Sequence, residues 1–556
     1  MEVASDYSFV TPYGKNVSSC GYCKSSNGSR TYGMMAHLLT AKEYQRLIDR
    51  GWRRSGKYIY KPNLRASCCP QYTIRLKASE FQASKHQRQV VNRFNNYIQE
   101  GDENFEKDIA SRQEARKQNA NAENKSSEPE TTAPSIEPSS SSTDTSAPAG
   151  APAPGKKQKP RKPPKNVAAD LITRIRSSEY LLSPEITSWK HRLRIVLEPA
   201  SFTEEKYKLY VKYQMEVHHE PESKCRVSGF NDFLVSSPIT ATKTVGWRED
   251  DPGFGSFHQN YYLDDKLIAV SVIDILPECV SAVYFFYDTD YSSLSLGKYS
   301  AQREIALAES LSAKPGYETV QYYYMGFYIF TCPKMTYKGQ FHPSYLLDPD
   351  TYNWIEFDKC KEIIKDQRYS AFENPSAMNP LFEAKMKSII DHKRGQPAND
   401  YDSEDYEDDI EDWESVDEED EEDENDDNSN DKEEEEEEEG EREESEDHGK
   451  RKKKRLDTTD EECQKNAAKA AERQRKKEIE KAFVETLALP PPGCLDTKSI
   501  TDEDVKSILC LVRQRVIPVT ETDMYKYQPG IKDFVKEFYS YFGKDGHAQT
   551  PASNSR

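Results

Sequence analysis

The sequence predicts an α/β (α+β) protein with a mixed-sheet core, a small N-terminal module held by cysteines, a helical C-terminal block and two long disordered segments. Three observations predict it. Leu267–Leu276 and Val280–Tyr287 read as apolar strands, Leu296–Ser312 as a helix and Val320–Phe330 as a further strand. A helix set between strands implies a crossover connection. Cys20-Gly21-Tyr22-Cys23 and Cys68-Cys69-Pro70 put four thiols into one short block. Hydrophobic residues are only 35% of the 556 and charged residues 31%, so some stretches cannot pack if others form a core.

Charge divides the chain. Residues 400–449 hold 33 Asp/Glu against 2 Lys/Arg, a local −31, so the net charge of −20 leaves +11 for everything else. Residues 1–100 carry 16 Lys/Arg against 6 Asp/Glu. The foldable part is therefore basic and wears an acidic segment. Ser/Thr/Pro/Ala-rich sequence without apolar periodicity makes 101–167 a helix end and linker, and 396–455 turns from acidic to basic at Lys450–Arg455. The expected organisation is an N-terminal metal-binding domain over 1–100, a core over 168–395, a helical region over 456–545 and a tail over 546–556. No run of 18 apolar residues exists for a spanning helix. The first residues lack the basic and apolar regions of a secretory leader, so secretion is not expected. Eleven cysteines, several in apolar strands, point to a reducing compartment.

Local signals place the remaining elements. Thr40 and Glu43 have capping-box spacing, and Gly51 stops the helix they open. Trp52–Tyr60 reads as a hairpin turning at Ser55-Gly56. Tyr72, Ile74 and Leu76 alternate with polar residues as a half-buried strand. Ser84 and Gln87 open a helix with Val91, Phe94 and Ile98 on one face. Arg53, Arg54, Lys57, Lys85 and Arg88 read as solvated basic faces. Helices are expected over 459–487, over Asp502–Arg515 and over Ile531–Phe542.

A C-x-x-C turn places two thiolates on one side of a loop, and a second close pair completes four soft ligands. Cys20, Cys23, Cys68 and Cys69 are thus candidate ligands of zinc or of an iron–sulfur cluster. A redox C-x-x-C beside two buried thiols, or four inert cysteines, are the alternatives.

Around the crossover the chain reads Phe257-His258-Gln259-Asn260-Tyr261-Tyr262-Leu263-Asp264-Asp265-Lys266, Val283-Tyr284-Phe285-Phe286-Tyr287-Asp288, Leu296-Gly297-Lys298-Tyr299-Ser300-Ala301-Gln302-Arg303-Glu304, Tyr322-Tyr323-Tyr324-Met325-Gly326-Phe327-Tyr328 and Cys332-Pro333-Lys334-Met335. These runs, with the two cysteine motifs in the same order, closely resemble the eukaryotic arginyl-tRNA–protein transferases. The resemblance implies a GNAT-like core that moves arginine from arginyl-tRNA to an N-terminal Asp, Glu or oxidised Cys, marking proteins for the N-degron ubiquitin pathway. It implies ubiquitin-pathway partners, while Lys450–Arg455 resembles a nuclear-localisation patch, so that cytoplasmic and nuclear localisation is expected. It also tips the metal towards an iron–sulfur cluster, [4Fe–4S] in preference to zinc. Phe330 stands where members commonly carry histidine.

An ordinary GNAT acetyltransferase cradles coenzyme A pyrophosphate on a Gly-rich turn opening a helix. Here the corresponding Leu294–Tyr299 keeps only Gly297, so acetyl-CoA is not expected, and an activated ester needs no ATP. A non-catalytic tRNA- or chromatin-associated adaptor is the rival from another class.

The transfer needs a carboxylate for the arginyl guanidinium, a cation for the acidic acceptor residue, and basic and aromatic groups for the tRNA end. Asp274, His258 and Arg303 are the catalytic candidates, with Asp288 and Glu278 as further carboxylates for the guanidinium. Lys334, Lys338, Tyr287, Asp288, Tyr322, Tyr324, Tyr328 and Tyr337 are the substrate-binding candidates, and Tyr323 is a further aromatic for the tRNA end.

Overall fold

The computed structural model describes residues 8–101, 167–179, 188–365, 367–394, 455–512 and 515–546. The linker, the acidic run and the tail read from the sequence fall, but for their end residues, outside these.

The first hundred residues build a sheet of order β1-β2-β4-β3 from β1 (Phe9–Ser18), β2 (Ser29–Leu38), β3 (Arg53–Ser55) and β4 (Tyr58–Pro62). Helix α1 (Ala41–Ile48) starts where the Thr40 hydroxyl accepts the Glu43 N–H. The β3–β4 turn passes through Gly56 at φ +55°, where a Cβ would lie 1.8 Å from the Asp232 carbonyl oxygen, so only glycine fits. Strand β5 (Tyr72–Lys77) leaves this sheet, and α2 (Lys85–Glu100) follows behind a reciprocal Ser84–Gln87 capping box.

The core is an eight-stranded mixed sheet. After α3 (Val167–Arg176), β6 (Leu193–Pro199) and α4 (Glu204–Val217), the strands β7 (Gly255–Leu263), β8 (Lys266–Ile275) and β9 (Cys279–Tyr287) form an antiparallel meander. Helix α5 (Leu296–Ser312) crosses over to β10 (Tyr322–Tyr328), which runs parallel to β9. Strands β11 (Ser344–Leu347) and β12 (Trp354–Glu356) close the far edge. The order β12-β11-β5-β10-β9-β8-β7-β6 places β5 between β11 and β10, so the N-terminal block lends a strand to the core.

The parallel pair β9–β10 is short. It is paired only at Cys279–Ser281 against Tyr322–Tyr324. Beyond that, the register of β10 against β5 breaks between Tyr324 and Phe327, around Gly326 at φ +76°, and that of β9 against β8 breaks between Ile273–Ala282 and Val272–Tyr284. Each break is a bulge that bends its strand, and the two strands part.

The N-terminal sheet docks on the core through polar groups that become buried. Arg54 Nε and Nη2 donate to the two carboxylate oxygens of Asp274 at 2.8 Å each, and the Ser256 hydroxyl donates to Oδ1 at 2.5 Å. Arg53 Nη2 reaches the Gly326 carbonyl (3.1 Å), which the bulge sets free from the ladder. Arg53 and Arg54 are therefore not the solvated faces their sequence suggests, because each meets fixed acceptors inside the interface. Lys57, Lys85 and Arg88 are exposed.

Helix α6 (Phe357–Ile364) follows β12. Helices α7 (Pro380–Arg394) and α8 (Arg455–Ala488) pack together as a hairpin. The expected helix over Asp502–Arg515 does not form. A 3₁₀ turn at Asp504–Ser507 leads into the hairpin of β13 (Leu509–Val512) and β14 (Arg515–Pro518). The run Ile508-Leu509-Cys510-Leu511-Val512 is continuously apolar, as a strand allows: Ile508 and Cys510 pack inward, while Leu509 and Val512 are exposed. Helix α9 (Ile531–Gly546) sets Phe538, Tyr541 and Phe542 against Tyr32 and Trp52 of the N-terminal module. Among the described residues no helix is long and apolar enough to cross a membrane.

The Arg54–Asp274 pair is almost fully buried on both sides. Asp274→Asn leaves a buried guanidinium uncompensated and is expected to cost about 3–5 kcal/mol, read as a lower urea midpoint; a midpoint unchanged from the unaltered chain would contradict the docking role.

Candidate active site and metal centre

The gap between β9 and β10 is a small cleft of about 40 Å³. Its floor is the face of α5 carrying Gly297, Ser300, Ala301 and Glu304, which recur at i, i+3, i+4 and i+7 and so share one side of the helix. Small residues there leave the space beside the strands unfilled. Ala282, Tyr284 and Phe285 of β9 form one wall, Tyr323 and Met325 of β10 the other, and Tyr337 with Lys338 closes one side. Ser271 of β8 donates its hydroxyl to Glu304 Oε1, holding the carboxylate in the cleft. Lys338 Nζ donates to the Phe327 carbonyl (3.2 Å), just past the β10 bulge. One carboxylate and one ammonium thus share a partly dry site, beside the first turn of α5 and an edge of β9 that has no strand partner beyond Ser281.

Strand alternation decides which expected residues arrive here. Tyr323 and Met325 face the cleft, so Tyr322 and Tyr324 face the N-terminal module. Tyr322 lies under Arg75 (3.8 Å), and the Tyr324 hydroxyl donates to Asp49 while accepting from Arg75 Nη1 (3.0 Å). Asp274, three residues from Ser271, likewise points away and is committed to Arg54. Tyr328 packs edge-on against Phe357, and Tyr287 is buried against Tyr213 and Phe285. Asp288 is clasped by Lys212 (2.5 Å) and Lys266 (2.7 Å); despite its partial burial those lysines hold its carboxyl below the usual range. Of the expected residues, Tyr323, Tyr337 and Lys338 line the cleft, and Lys334 is half-buried on the same segment as the last two.

His258 and Arg303 sit in closed networks outside it. Lys206 Nζ donates to His258 Nδ1 (3.0 Å), and His258 Nε2 donates to the Leu234 carbonyl (2.9 Å). Burial, then the Lys206 charge, push His258 down to about 4, so it is neutral. Arg303 Nη2 donates to Glu179 (2.6 Å), and Nη1 reaches the Ile175 carbonyl and the Tyr299 hydroxyl (3.4 Å each), fastening the segment after α3. Tyr299, at the position where a pyrophosphate loop needs a small residue, is fully buried against Phe94.

The four N-terminal cysteines come together: all four sulfurs lie within 4.8 Å of one another, and Cys23 Sγ is 3.2 Å from Cys68 Sγ. The turn is closed by Cys20 N–H to the Ser25 carbonyl (2.8 Å) and Lys24 N–H to the Cys20 carbonyl (2.9 Å). Cys68 N–H donates to the Gly28 carbonyl (2.8 Å). Arg368 braces the segment before Cys68 by donating to the carbonyls of Leu64, Arg65 and Ser67 while paired with Glu383. Phe382, Met386 and Phe483 of the α7–α8 hairpin cover the cluster, together with Ile329 and Met335 from beside the cleft. Four converging thiols, mostly buried and with second contacts that fix them, fit a metal.

Comparisons with known proteins agree with this layout. The family models for the N terminus and the C terminus of the arginine-tRNA-protein transferases match residues 18–89 and 205–348. The chain is 35% identical over 452 residues to arginyl-tRNA–protein transferase 1 of Drosophila melanogaster, covering 71% of this chain and 92% of that protein. It is 31% identical over 478 residues to arginyl-tRNA–protein transferase 2 of Arabidopsis thaliana, covering 67% and 79%. A shorter match, 37% over 87 residues, covers 16% of this chain and 34% of an aspartate/glutamate leucyltransferase of Campylobacter jejuni. Matches of this extent define a transferase. The chain belongs to the arginyl-tRNA–protein transferase family and is an enzyme of protein arginylation; the adaptor reading is not favoured.

The sequence reading missed Glu304, Ser271 and Tyr284. The small residues of Gly297-x-x-Ser300-Ala301-x-x-Glu304 are the signal from which the first was readable.

Two outcomes follow from these contacts. A Cβ at Gly28 would stand 2.4 Å from Cys68 Sγ, so Gly28→Ala is expected to displace that sulfur and lower bound metal per chain, measured by elemental analysis; full metal content in the variant would contradict the packing. His258 and His218 are each pushed down to about 4 from 6.5, burial being the larger cause in both. The unfolded chain takes up these protons near 6.5 and the folded chain only near 4. Their stabilisation is therefore complete above pH 6.5 and is lost as pH falls from 6.5 towards 4. Urea midpoints should decline across that window, and a flat profile would contradict it.

Proposed function

We propose that the cleft between β9 and β10 is where arginine passes from the 3′ ribose of arginyl-tRNA to the α-amine of an acceptor protein, on a GNAT-like core. Glu304 carries the reading, as the carboxylate that lines the cleft. A guanidinium is best held by a carboxylate in bidentate fashion. The carboxylates expected from the sequence are engaged or placed elsewhere: Asp274 with Arg54, Asp288 with two lysines, and Glu278 beside Asp49 and Arg75 at the paired end of β9.

The chemistry asks little of the protein. The acceptor nitrogen attacks the ester carbonyl, an amide bond forms, the bond to the ribose oxygen breaks, and the proton lost by the amine balances the one gained by the ribose. An α-amine with a pKa of about 7.7–8.0 is roughly a tenth to a sixth neutral at pH 7. Positioning then supplies much of the acceleration. The first turn of α5 and the unpaired β9 edge offer N–H groups to the carbonyl oxygen as it becomes negative. Tyr323 and Tyr337 offer faces to the unstacked terminal base, and Lys338 a charge to its phosphate. Exposed Lys469, Arg473, Arg475, Lys476 and Lys477 on α8 suit the tRNA backbone.

Acceptors with an N-terminal Asp, Glu or oxidised Cys are the expected class. The partial likeness to a protein named for transfer to aspartate and glutamate supports it. Arginylation of this kind commits the acceptor to the N-degron ubiquitin pathway, in cytosol and nucleus.

The sulfur spacing favours a single tetrahedral ion held by Cys20, Cys23, Cys68 and Cys69. Metal–sulfur bonds of about 2.3 Å place four thiolates roughly 3.8 Å apart, within the observed 4.8 Å. The iron–sulfur cluster implied by the family resemblance bonds each thiolate to a different iron and needs a wider nest. A zinc ion there would supply a brace for the N-terminal fold.

Arginyl-tRNA and a peptide beginning with Asp should yield arginylated peptide, and blocking the peptide amine should abolish it. Glu304→Gln is expected to lower kcat/KM for arginyl-tRNA on the order of 100-fold, a loss of about 3 kcal/mol typical of a charged hydrogen bond, with an unchanged unfolding midpoint. Retained kcat/KM in this variant would refute the role of Glu304.

A further inference from the structure

The α7–α8 hairpin turns its apolar side to the cysteines. On α7, Phe382, Met386, Ile389 and Ile390 recur at i, i+4, i+7 and i+8, and on α8 Phe483 and Leu487 recur at i and i+4, so each set shares one helix face. All six pack in the cluster that contains Cys20, Cys23, Cys68 and Cys69. Phe382, Met386 and Phe483 are buried there. The two helices hold each other by the Phe382–Phe483 stack (5.3 Å) and by an exposed Lys385–Glu480 pair (3.1 Å).

One side chain joins this hairpin to the ligand loop. Arg368, between α6 and α7, is 8% exposed, and each of its five N–H groups has an acceptor. Nη1 donates to the carbonyls of Leu64 (3.4 Å) and Ser67, and Nη2 to that of Arg65 (2.8 Å). Nε and Nη2 donate to the two carboxylate oxygens of Glu383 on α7, at 3.2 and 2.8 Å. The guanidinium also lies over the Phe382 ring, 5.7 Å from its centroid. The three carbonyls belong to the residues that lead into Cys68-Cys69. The loop presenting two of the thiols and the helix covering them therefore share one cation.

We propose that the α7–α8 hairpin is a metal-dependent cover latched by Arg368: it stays docked while an ion holds the four thiolates together, and it comes away when the ion is lost. This rests on the metal reading above. Four thiolates within 4.8 Å of one another repel unless a cation lies among them, and in a site of this kind metal binding and local folding are one equilibrium. Once the two cysteine segments part, Leu64, Arg65 and Ser67 move with Cys68, and Arg368 loses three acceptors in one step. What remains is its pair with Glu383, and an ion pair open to water contributes little. The apolar face of the hairpin loses its counterpart at the same moment. The coupling is reciprocal: a hairpin held down retains the ion by the same factor with which the ion holds the hairpin down.

The test loads the full-length protein with zinc and follows transfer of the metal to an excess of a chromophoric chelator. Glu383→Gln removes the charge that α7 offers to Arg368, and Phe483→Ala opens the cover from the α8 side. Glu383→Gln is expected to release zinc roughly tenfold faster than the unaltered chain, the scale of one charge-assisted hydrogen bond, and Phe483→Ala at least as fast. Lys385→Gln, which breaks only an exposed pair, should stay within about twofold of the unaltered rate. Hydrogen exchange on zinc-stripped protein should show α7 and the C-terminal turns of α8 losing protection while β8 and α5 keep theirs. Release at the unaltered rate from either Glu383→Gln or Phe483→Ala would overturn the proposal, as would an equal acceleration in Lys385→Gln. A stripped protein whose hairpin stays protected would make the cover permanent, and one that also loses protection in β8 and α5 would make the ion a brace of the whole fold; either result overturns it. If the unaltered chain takes up no zinc, the metal reading fails first and the cover with it.

Discussion

Strands β9 and β10 lie parallel and stay hydrogen-bonded for only three residues, and the molecule is arranged around the gap that follows. A parallel pair buried on both faces normally continues for the length of its strands, because parted strands leave backbone groups without partners. Here two bulges force the parting, and the freed groups of β10 are taken up by ionic side chains: Arg53 caps the Gly326 carbonyl and Lys338 the Phe327 carbonyl. The small-residue face of α5 keeps the space from being filled. The proposed transfer, which has to admit the end of a charged tRNA and the start of a protein chain, calls for an opening of this kind.

The N-terminal module is part of this site and not an appendage. Strand β5 enters the core sheet beside β10, Arg53 and Arg54 reach across to β10 and β8, and the metal-centre cysteines pack against Ile329 and Met335, which flank the cleft. The α7–α8 hairpin covers the other side of the cysteines, with Phe382 and Phe483 stacked at 5.3 Å. A metal held there therefore stabilises the turn bearing Lys24, the loop gripped by Arg368 and, through Met335, the segment that carries Lys334 and Lys338.

Much of this was legible in the sequence, and the rest was hidden for definable reasons. The C-x-x-C and Cys-Cys-Pro spacing marks the four thiols that converge, and the capping box at Ser84–Gln87 and the crossover through Leu296–Ser312 are local signals that the fold keeps. Asp274 in an apolar strand is conspicuous in the sequence, but what answers it is Arg54, 220 residues earlier, and no local pattern reports a partner at that separation. Tyr322 to Tyr324 read as one aromatic patch, yet alternation sends Tyr323 to the cleft and its neighbours to Arg75 and Asp49. His258 looks like a reactive histidine until Lys206 and the Leu234 carbonyl are seen to occupy both ring nitrogens. Glu304 was overlooked because a glutamate in a helix is ordinary; its burial against Ser271 on β8 is a tertiary fact.

The central claim is that the gap between β9 and β10 receives the aminoacyl end of the tRNA, with the arginine held by Glu304. A crystal structure of the protein with a non-hydrolysable 3′-arginylamino-adenosine tests it most directly. The account predicts the guanidinium paired with Glu304, the amide carbonyl against the unpaired edge of β9 and the adenine beside Tyr323 or Tyr337. Density for the analogue outside this gap, or a gap that stays closed to it while admitting the pantetheine arm of coenzyme A, would contradict the account.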